Sequence, residues 1–321
     1  MDPMDELLGD SAGIVAIRRQ VRRLLQRPEN TLLPPILIQG ETGTGKGHLA
    51  RLIHRASPRR DGPFENVDCP SIPGQLFESV MFGIERGAFT DARQARPGRF
   101  QGAHRGTIFL DEIGLLTEEA QRKLLKVIEE RTVRRVGATR DEPVDVWIIA
   151  ATNEDLAAAV REHRFREDLY YRLGFMPLTL PPLRERGEDV MVLAQHLLDR
   201  ACADHHLPPM TLDPSARAAV LAYDWPGNVR RVRNVMERVA LLSEAPTVTR
   251  EMLDLPAAPA VSMLKPEPGT EPKTETRSLR MTLESQVREQ LLQALNATGW
   301  NLSRTAKQFD IKRNTLRYRI K

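Results

Sequence analysis

A glycine-rich segment has the composition of a phosphate-binding loop and consists of Gly40, Glu41, Thr42, Gly43, Thr44, Gly45, Lys46 and Gly47. It follows an apolar run of strand type at 35–39 and precedes a run with helical spacing at 48–53. Glycines let the backbone turn tightly and direct N–H groups at phosphate oxygens, and the lysine adds a full positive charge. The segment therefore predicts a P-loop that binds a nucleoside triphosphate.

Gly47 stands where many P-loops carry Ser or Thr after the lysine. The loop consequently offers no hydroxyl ligand to Mg²⁺ at this position. We expect Asp111 and water to supply more of the coordination.

Two carboxylates, Asp111 and Glu112, follow the apolar run 107–110. At the end of a buried strand, Asp111 would bind Mg²⁺ and Glu112 would orient and deprotonate an attacking water. Another apolar run ends in Thr152 and Asn153, whose side chains are expected at the same sheet edge, near the γ-phosphate, because parallel strands deliver ligands at their carboxyl ends. These residues predict hydrolysis of the bound nucleotide.

Six segments, in this order, resemble the sigma-54-dependent enhancer-binding transcription activators: GETGTGK (40–46), FG with ERGAFT (82–83 and 85–90), FLDEIG (109–114), FREDLYYRL (165–173), LPPLRER (180–186) and WPGNVR (225–230). The resemblance runs from about Leu8 to Lys321. It implies an α/β fold with an AAA+ P-loop parallel sheet and an α-helical lid, followed by a small all-α helix-turn-helix domain of Fis type. It also implies ATP and Mg²⁺ as cofactors.

The resemblance implies roles for three arginines. Arg166 and Arg172 match the fingers that reach into a neighbouring subunit's nucleotide site, where a guanidinium stabilises charge on the transferring phosphoryl group. Arg230 matches the lid arginine that senses the γ-phosphate. The alternative for the two fingers is a surface ion pair with Glu167 or Asp168, which contributes about 0 to 1 kcal/mol.

The resemblance also identifies the loop that contacts sigma-54, which here consists of Gly87, Ala88, Phe89, Thr90, Asp91 and Ala92. The family reads Gly-Ala-Phe-Thr-Gly-Ala, so Asp91 replaces a glycine. Asp tolerates positive φ, and the loop conformation is therefore compatible with the change. The added negative charge either weakens the contact with sigma-54 or fits a particular sigma variant.

Asp68 falls where many family members have an asparagine that holds the catalytic glutamate. A carboxylate cannot donate the hydrogen bond that an amide donates. We therefore expect altered coupling between Glu112 and the sigma-contact loop.

The predicted domains are an α/β nucleotide-binding subdomain (1–178), a helical lid (179–254), a flexible linker (255–280) and a helix-turn-helix domain (281–321). The linker is rich in Pro, Glu, Lys and Thr and has no apolar period. Residues 282–321 carry eight basic and three acidic side chains, whereas the preceding residues carry 39 basic and 40 acidic side chains. The net charge of +4 therefore arises at the C-terminus.

The C-terminal segment contains one amphipathic stretch and then two shorter ones, the pattern of a helix followed by a helix-turn-helix. The last stretch presents side chains suited to bases and phosphates in a major groove: Arg313, Asn314, Thr315, Arg317 and Arg319. A solvated charged helix is the alternative.

Two cysteines cannot form a disulfide framework, and neither a signal peptide nor a long apolar stretch is present. We expect a cytoplasmic protein with no membrane partner. The motor's first helix begins near Ile14, which leads us to expect control by expression level or by a regulator protein acting in trans.

Taken together, the motifs predict a ring-forming ATPase that binds enhancer DNA and remodels the closed complex of sigma-54 RNA polymerase, with self-association from dimer to hexamer. The alternative is a DNA-binding regulator of other promoters that has lost contact with sigma-54, with ATP serving as an assembly ligand. Asp91 is the residue that favours this alternative.

Overall fold

The computed structural model describes residues 2–26, 32–88, 94–243 and 245–256. Four sigma-contact residues of the sequence analysis lie outside these ranges, namely Phe89, Thr90, Asp91 and Ala92. The DNA-contact residues Arg313, Asn314, Thr315, Arg317 and Arg319 also lie outside them.

A five-stranded parallel sheet forms the centre of the described chain, with strand order β2-β3-β6-β1-β7. The strands are β1 (Ile36–Gln39), β2 (Phe64–Asp68), β3 (Thr107–Asp111), β4 (Thr132–Val133), β5 (Glu142–Pro143), β6 (Trp147–Thr152), β7 (Met176–Thr179), β8 (Thr211–Leu212) and β9 (Thr247–Val248). The β4–β5 pair is an antiparallel hairpin, and β8 pairs with β9 in parallel. The predicted parallel α/β sheet is confirmed.

The α-helices are α1 (Ala12–Leu25), α2 (Lys46–Ala56), α3 (Phe77–Phe82), α4 (Arg99–Gly102), α5 (Glu118–Glu130), α6 (Leu156–Arg161), α7 (Glu167–Leu173), α8 (Asp189–Asp204), α9 (Pro214–Ala222), α10 (Asn228–Leu242) and α11 (Arg250–Leu253). Short 3₁₀ turns occupy Pro3–Glu6, Cys69–Ser71, Gly74–Leu76, Ile113–Leu115 and Leu183–Glu185. Within the described ranges, no helix is both long and apolar enough to cross a membrane.

Both faces of the central sheet are buried under helices. Because side chains alternate along a strand, Leu37 of β1 packs with helices α3 to α7, whereas Ile36 and Ile38 pack with α1 and α2. Strand β6 follows the same alternation and has no exposed residue. Strands buried on both faces read as continuous apolar runs, which is why the sequence revealed β1, β3 and β6.

The lid comprises α8 to α11 and has a separate apolar core. Trp225 lies in that core with 1% of its surface exposed, and its indole Nε1 donates a hydrogen bond to the Val220 carbonyl oxygen at 2.8 Å. Tyr223 packs edge-on against it, with ring centroids 5.2 Å apart. The helical lid that the resemblance implied is confirmed.

Strand register brings four polar residues to one edge of the sheet. Asp68 lies opposite Asp111, and Gln39 lies opposite Thr152. This edge is formed by the carboxyl ends of the strands, where ligands of open α/β sheets bind.

Replacing Trp225 by Phe tests the lid core. The variant loses the bond to Val220 and part of the buried ring, so we expect the free energy of unfolding to fall by about 1–3 kcal/mol. Urea denaturation followed by circular dichroism measures this loss. Leu242→Ala, at a lid residue that is 76% exposed, is the control and should change stability by less than about 0.5 kcal/mol. Equal effects of the two changes would contradict this account of the lid.

Candidate functional site

The glycine loop connects β1 to the first turn of α2 and approaches the lid closely. Gly43 has φ +83°, and a Cβ at this position would lie 2.2 Å from the Gly227 carbonyl oxygen. Only glycine fits such a contact with a left-handed backbone. Gly45 caps α2, so the positive end of the helix dipole faces the loop.

Lys46 lies inside the loop and is 6% exposed. Its Nζ donates to the carbonyl oxygens of Gly40 at 3.0 Å and Glu41 at 3.4 Å. The same nitrogen lies 3.6 Å from Oε1 of Glu112. The structure therefore brings the predicted phosphate-binding lysine and the predicted catalytic glutamate into one ion pair.

Glu112 adopts a left-handed backbone conformation with φ +53°. Such a conformation is costly for a residue other than glycine and is concentrated at functional sites. The Asn153 backbone N–H donates to Glu112 Oε2 at 3.1 Å, and the Asn153 side-chain Nδ2 donates to Thr42 Oγ1 at 2.9 Å. Asn153 thus links the glutamate to the glycine loop.

Asp111 is half-buried, and its Oδ1 accepts a hydrogen bond from the Glu112 N–H at 3.1 Å. Burial, followed by the charge of Glu112, raises the pKa of Asp111, and Lys46 opposes the shift. Crowded carboxylate oxygens form a donor set that suits Mg²⁺. The described residues contain no group of three His, Cys, Asp or Glu able to hold a metal ion, so phosphate oxygens and water would have to complete the coordination.

Of two other predicted residues at this edge of the sheet, Thr152 is buried and Asp68 is exposed. Thr152 is fully buried, and its Oγ1 accepts from the Glu154 N–H at 3.0 Å, so the hydroxyl is engaged within the fold. The Asp68 side chain is exposed, and no hydrogen bond joins it to Glu112 in the described part of the chain. Its charge contributes to the raised pKa of Asp111.

The two predicted arginine fingers lie at opposite ends of α7. Arg166 forms a bidentate ion pair with Asp168, with N···O distances of 3.0 and 2.6 Å. This pair was the alternative considered for Arg166. Arg172 is exposed and forms no ion pair with another described residue.

Lid residues contact the glycine loop directly. Arg184 forms a bidentate pair with Glu41 at 3.0 and 2.7 Å, and the Arg230 N–H donates to the Gly43 carbonyl oxygen at 3.2 Å. Sequence reasoning assigned a role to Arg230 but none to Arg184, Arg186 or Asn228. The only available signal was their position inside the segments LPPLRER and WPGNVR.

The described part of the sigma-contact loop packs on the β4–β5 hairpin. Gly137 lies so close to Ala88 that a Cβ on the glycine would be 2.6 Å from the Ala88 Cβ. Ile84 forms β-bridges to Arg96 and Val136, and Gly87 has φ +80°. The hairpin thus contacts the described end of the predicted sigma-contact loop.

The site combines a glycine loop between β1 and α2, a carboxylate pair at the end of β3, which β6 separates from β1, and a helical lid on the loop. These features define a P-loop nucleotide-binding protein of the AAA+ class. The sequence matches the Sigma-54 interaction domain over residues 7–179, the AAA+ ATPase lid domain over 184–264 and the Fis family of bacterial regulatory proteins over 282–321. The chain therefore belongs to the Sigma-54 interaction domain family, and the predicted helix-turn-helix class of its C-terminal segment is confirmed.

Relatives and solved structures agree with this assignment. The response regulator protein PilR of Pseudomonas aeruginosa is 41% identical, covering 99% of this chain and 70% of its own. The transcriptional activator RocR of Bacillus subtilis is 37% identical, covering 99% and 68%. NtrX from Brucella abortus, solved with ADP and with ATP, is 32% identical over 98% of this chain and 68% of its own, with TM-scores of 0.68 and 0.70. The match spans 61% of the length of the regulatory protein AtoC of Escherichia coli and 57% of the length of the phenol regulator MopR of Acinetobacter guillouiae.

Asp111→Asn tests the charge crowding in the absence of nucleotide and metal. Because the folded state raises the pKa of Asp111, ionisation of this group at neutral pH destabilises the fold. The neutral variant should therefore be more stable than the wild type at pH 7. The gain should shrink as the pH falls through the raised folded-state pKa of Asp111 and should be lost once the pH is well below about 3.9, the ordinary pKa of Asp, where the carboxyl is protonated in both states.

Urea titrations at several pH values measure this difference. Asp61→Asn, at a side chain that is 91% exposed, provides the control and should give no gain. A gain from Asp111→Asn that is independent of pH would contradict the electrostatic explanation.

Proposed function

We propose that the chain is an ATP-hydrolysing transcriptional regulator that binds enhancer DNA and remodels the closed complex of sigma-54 RNA polymerase. The observation that carries the proposal is the position of Glu112. Its carboxylate is fixed by Lys46 at 3.6 Å and by the Asn153 N–H at 3.1 Å, beside the glycine loop. A carboxylate fixed at that point can orient water for attack on a terminal phosphate.

In the proposed reaction, the glycine-loop amides and Lys46 hold the phosphates and stabilise their charge. Asp111 holds Mg²⁺, which neutralises charge on the phosphate oxygens when it is bound. Glu112 accepts a proton from the attacking water. Asn153 contacts both Glu112 and Thr42, and it is proposed to sense hydrolysis of the nucleotide together with Thr152, the preceding residue at the end of β6.

Arg166 and Arg172 are proposed to act on the nucleotide of a neighbouring subunit. Exposed aromatic residues support association at this face, because Tyr171 and Phe175 are each 68% exposed. They line a groove of about 290 Å³ together with Leu32, Val146 and Arg172. Assembly from dimer to hexameric ring would bury these aromatic residues and supply the arginines in trans. Hydrolysis would then depend on protein concentration.

The loop from Gly87 to Ala92 is proposed to transmit the nucleotide state to sigma-54, and residues 313–319 are proposed to contact DNA. We retain the division into 1–178, 179–254, 255–280 and 281–321 as part of this proposal. Because its partners are DNA and RNA polymerase, we place the protein in the cytoplasm. The alternative function without sigma-54 contact rests on Asp91, and a transcription assay distinguishes the two.

Glu112→Gln tests the assignment of the catalytic base. The amide keeps the size of the side chain but cannot accept the proton, so we expect the hydrolysis rate to fall by about 10²- to 10⁴-fold. Binding of ADP, measured by calorimetry, should persist. As a matched control, Glu119→Gln on the exposed surface of α5 should hydrolyse ATP at the wild-type rate. Wild-type hydrolysis by Glu112→Gln would overturn the assignment.

The transcription function is tested by reconstitution from the purified chain, ATP, sigma-54, core polymerase and a sigma-54 promoter with its enhancer. We expect open complexes, together with an ATPase activity that rises cooperatively with protein concentration. Asp91→Gly should change the yield of open complexes by only a small factor. ATPase activity without open complexes in the wild type, restored by Asp91→Gly, would instead favour the alternative function.

A further inference from the structure

Three consecutive carbonyl groups of the glycine loop accept hydrogen bonds from the lid. The Thr42 oxygen accepts from Asn228 Nδ2 at 3.1 Å, and the Gly43 oxygen accepts from the Arg230 N–H at 3.2 Å. The Thr44 oxygen accepts from an Arg186 guanidinium nitrogen at 2.9 Å. Residues of the lid therefore bind the carbonyl group of each of the three peptide units that follow Thr42, Gly43 and Thr44.

The orientation of a carbonyl fixes the orientation of the amide in the same peptide unit. In a planar trans peptide the N–H points away from the C=O. With the Thr42 and Thr44 carbonyls turned to the lid, the N–H groups of Gly43 and Gly45 point to the opposite, concave side. Neither N–H donates a hydrogen bond within the described ranges, whereas the Thr44 N–H between them donates to the Glu41 carbonyl oxygen at 3.3 Å. Backbone N–H groups aimed into a concavity bind anions.

The two lid side chains that make these bonds are themselves firmly held. Asn228 is 2% exposed, has φ +52°, and its Oδ1 accepts from the Leu183 N–H at 2.7 Å. Arg186 is 3% exposed and also donates to the Pro181 carbonyl oxygen at 3.0 Å. Burial lowers the pKa of Arg186 to about 10, which leaves the guanidinium charged at neutral pH. Rigid buried donors of this kind can impose an orientation on the flexible glycine backbone.

We infer that Asn228 and Arg186 are positioning residues that turn the glycine-loop amides toward the phosphates, so that the lid sets the affinity of the site for the diphosphate part of a nucleotide. This inference rests on the proposed nucleotide site and adds the residues that preorganise it. Neither residue touches the phosphates. Both act through the peptide units at 42–43 and 44–45.

Asn228→Asp is the sharpest test, because the variant keeps the acceptor for the Leu183 N–H but loses the donor to the Thr42 oxygen. We expect the Kd for ADP, measured by calorimetry on the full chain, to rise by about tenfold. Asn234→Asp makes the same chemical change on an exposed part of α10 and should bind ADP as the wild type does. An ADP affinity of folded Asn228→Asp equal to that of the wild type would overturn the inference.

Asn228 also donates to Glu41 Oε2 at 3.1 Å, so Asn228→Asp places two carboxylates together. The double variant Glu41→Gln/Asn228→Asp separates the two effects, because it removes the repulsion without restoring the donor to Thr42. Its Kd should remain about tenfold above that of Glu41→Gln alone. Recovery of the affinity of Glu41→Gln would assign the loss to repulsion and contradict the positioning role.

Arg186→Met provides a second route if Asn228→Asp does not fold. The side chain retains much of its volume but cannot donate to the Thr44 oxygen, and the Kd for ADP should again rise by about tenfold. Thermal unfolding without nucleotide establishes that each variant is folded before binding is measured. Tight ADP binding by the folded Met variant would overturn the role of Arg186. Failure of the wild type itself to bind ADP would overturn the proposed function and this inference with it.

Discussion

The parallel pairing of β3 with its neighbours β2 and β6 is the constraint on which the rest of the structure depends. It places Asp68 beside Asp111 and holds Leu110 opposite Ala150. Main-chain hydrogen bonds and the apolar core on each face of the sheet together fix the positions of the strand ends. Without that burial on both faces, the polar residues at the strand ends would have no common position. The glycine loop can then be short, because its partners at the strand ends stay in place.

The site concentrates features that oppose stability. Asp111 is half-buried, which raises the pKa of its carboxyl, and Glu112 has a left-handed backbone. Lys46 opposes the rise in the pKa of Asp111, and its Nζ donates to carbonyl oxygens of its own loop. Functional sites commonly retain such costs, which the surrounding core must support. The arrangement favours any ligand that adds a cation near Asp111 and an anion near Lys46.

Much of the fold and of the site was predictable from local sequence. The apolar runs of β1, β3 and β6 and the glycine loop each lie within a few consecutive residues, where pattern and chemistry can be read together. The bonds from Asn228 and Arg186 to the loop could not be read in this way, because they join residues 186 and 142 positions apart in the chain. For Thr152, the sequence predicted the position at the strand end but not the direction of the hydroxyl. The hydroxyl accepts a hydrogen bond from the Glu154 N–H and points into the fold.

The bidentate pair between Arg166 and Asp168 has a consequence for the proposed assembly. The guanidinium has already lost part of its hydration to Asp168, so a neighbour's phosphate would replace one anion by another instead of stripping water from a free cation. When two subunits meet, the Arg166 guanidinium would therefore exchange the Asp168 carboxylate for a phosphate, with little further loss of its own hydration. Such an exchange would respond to the charge of the incoming group, and it would give the proposed ring a means of distinguishing a triphosphate from a diphosphate in the adjacent subunit.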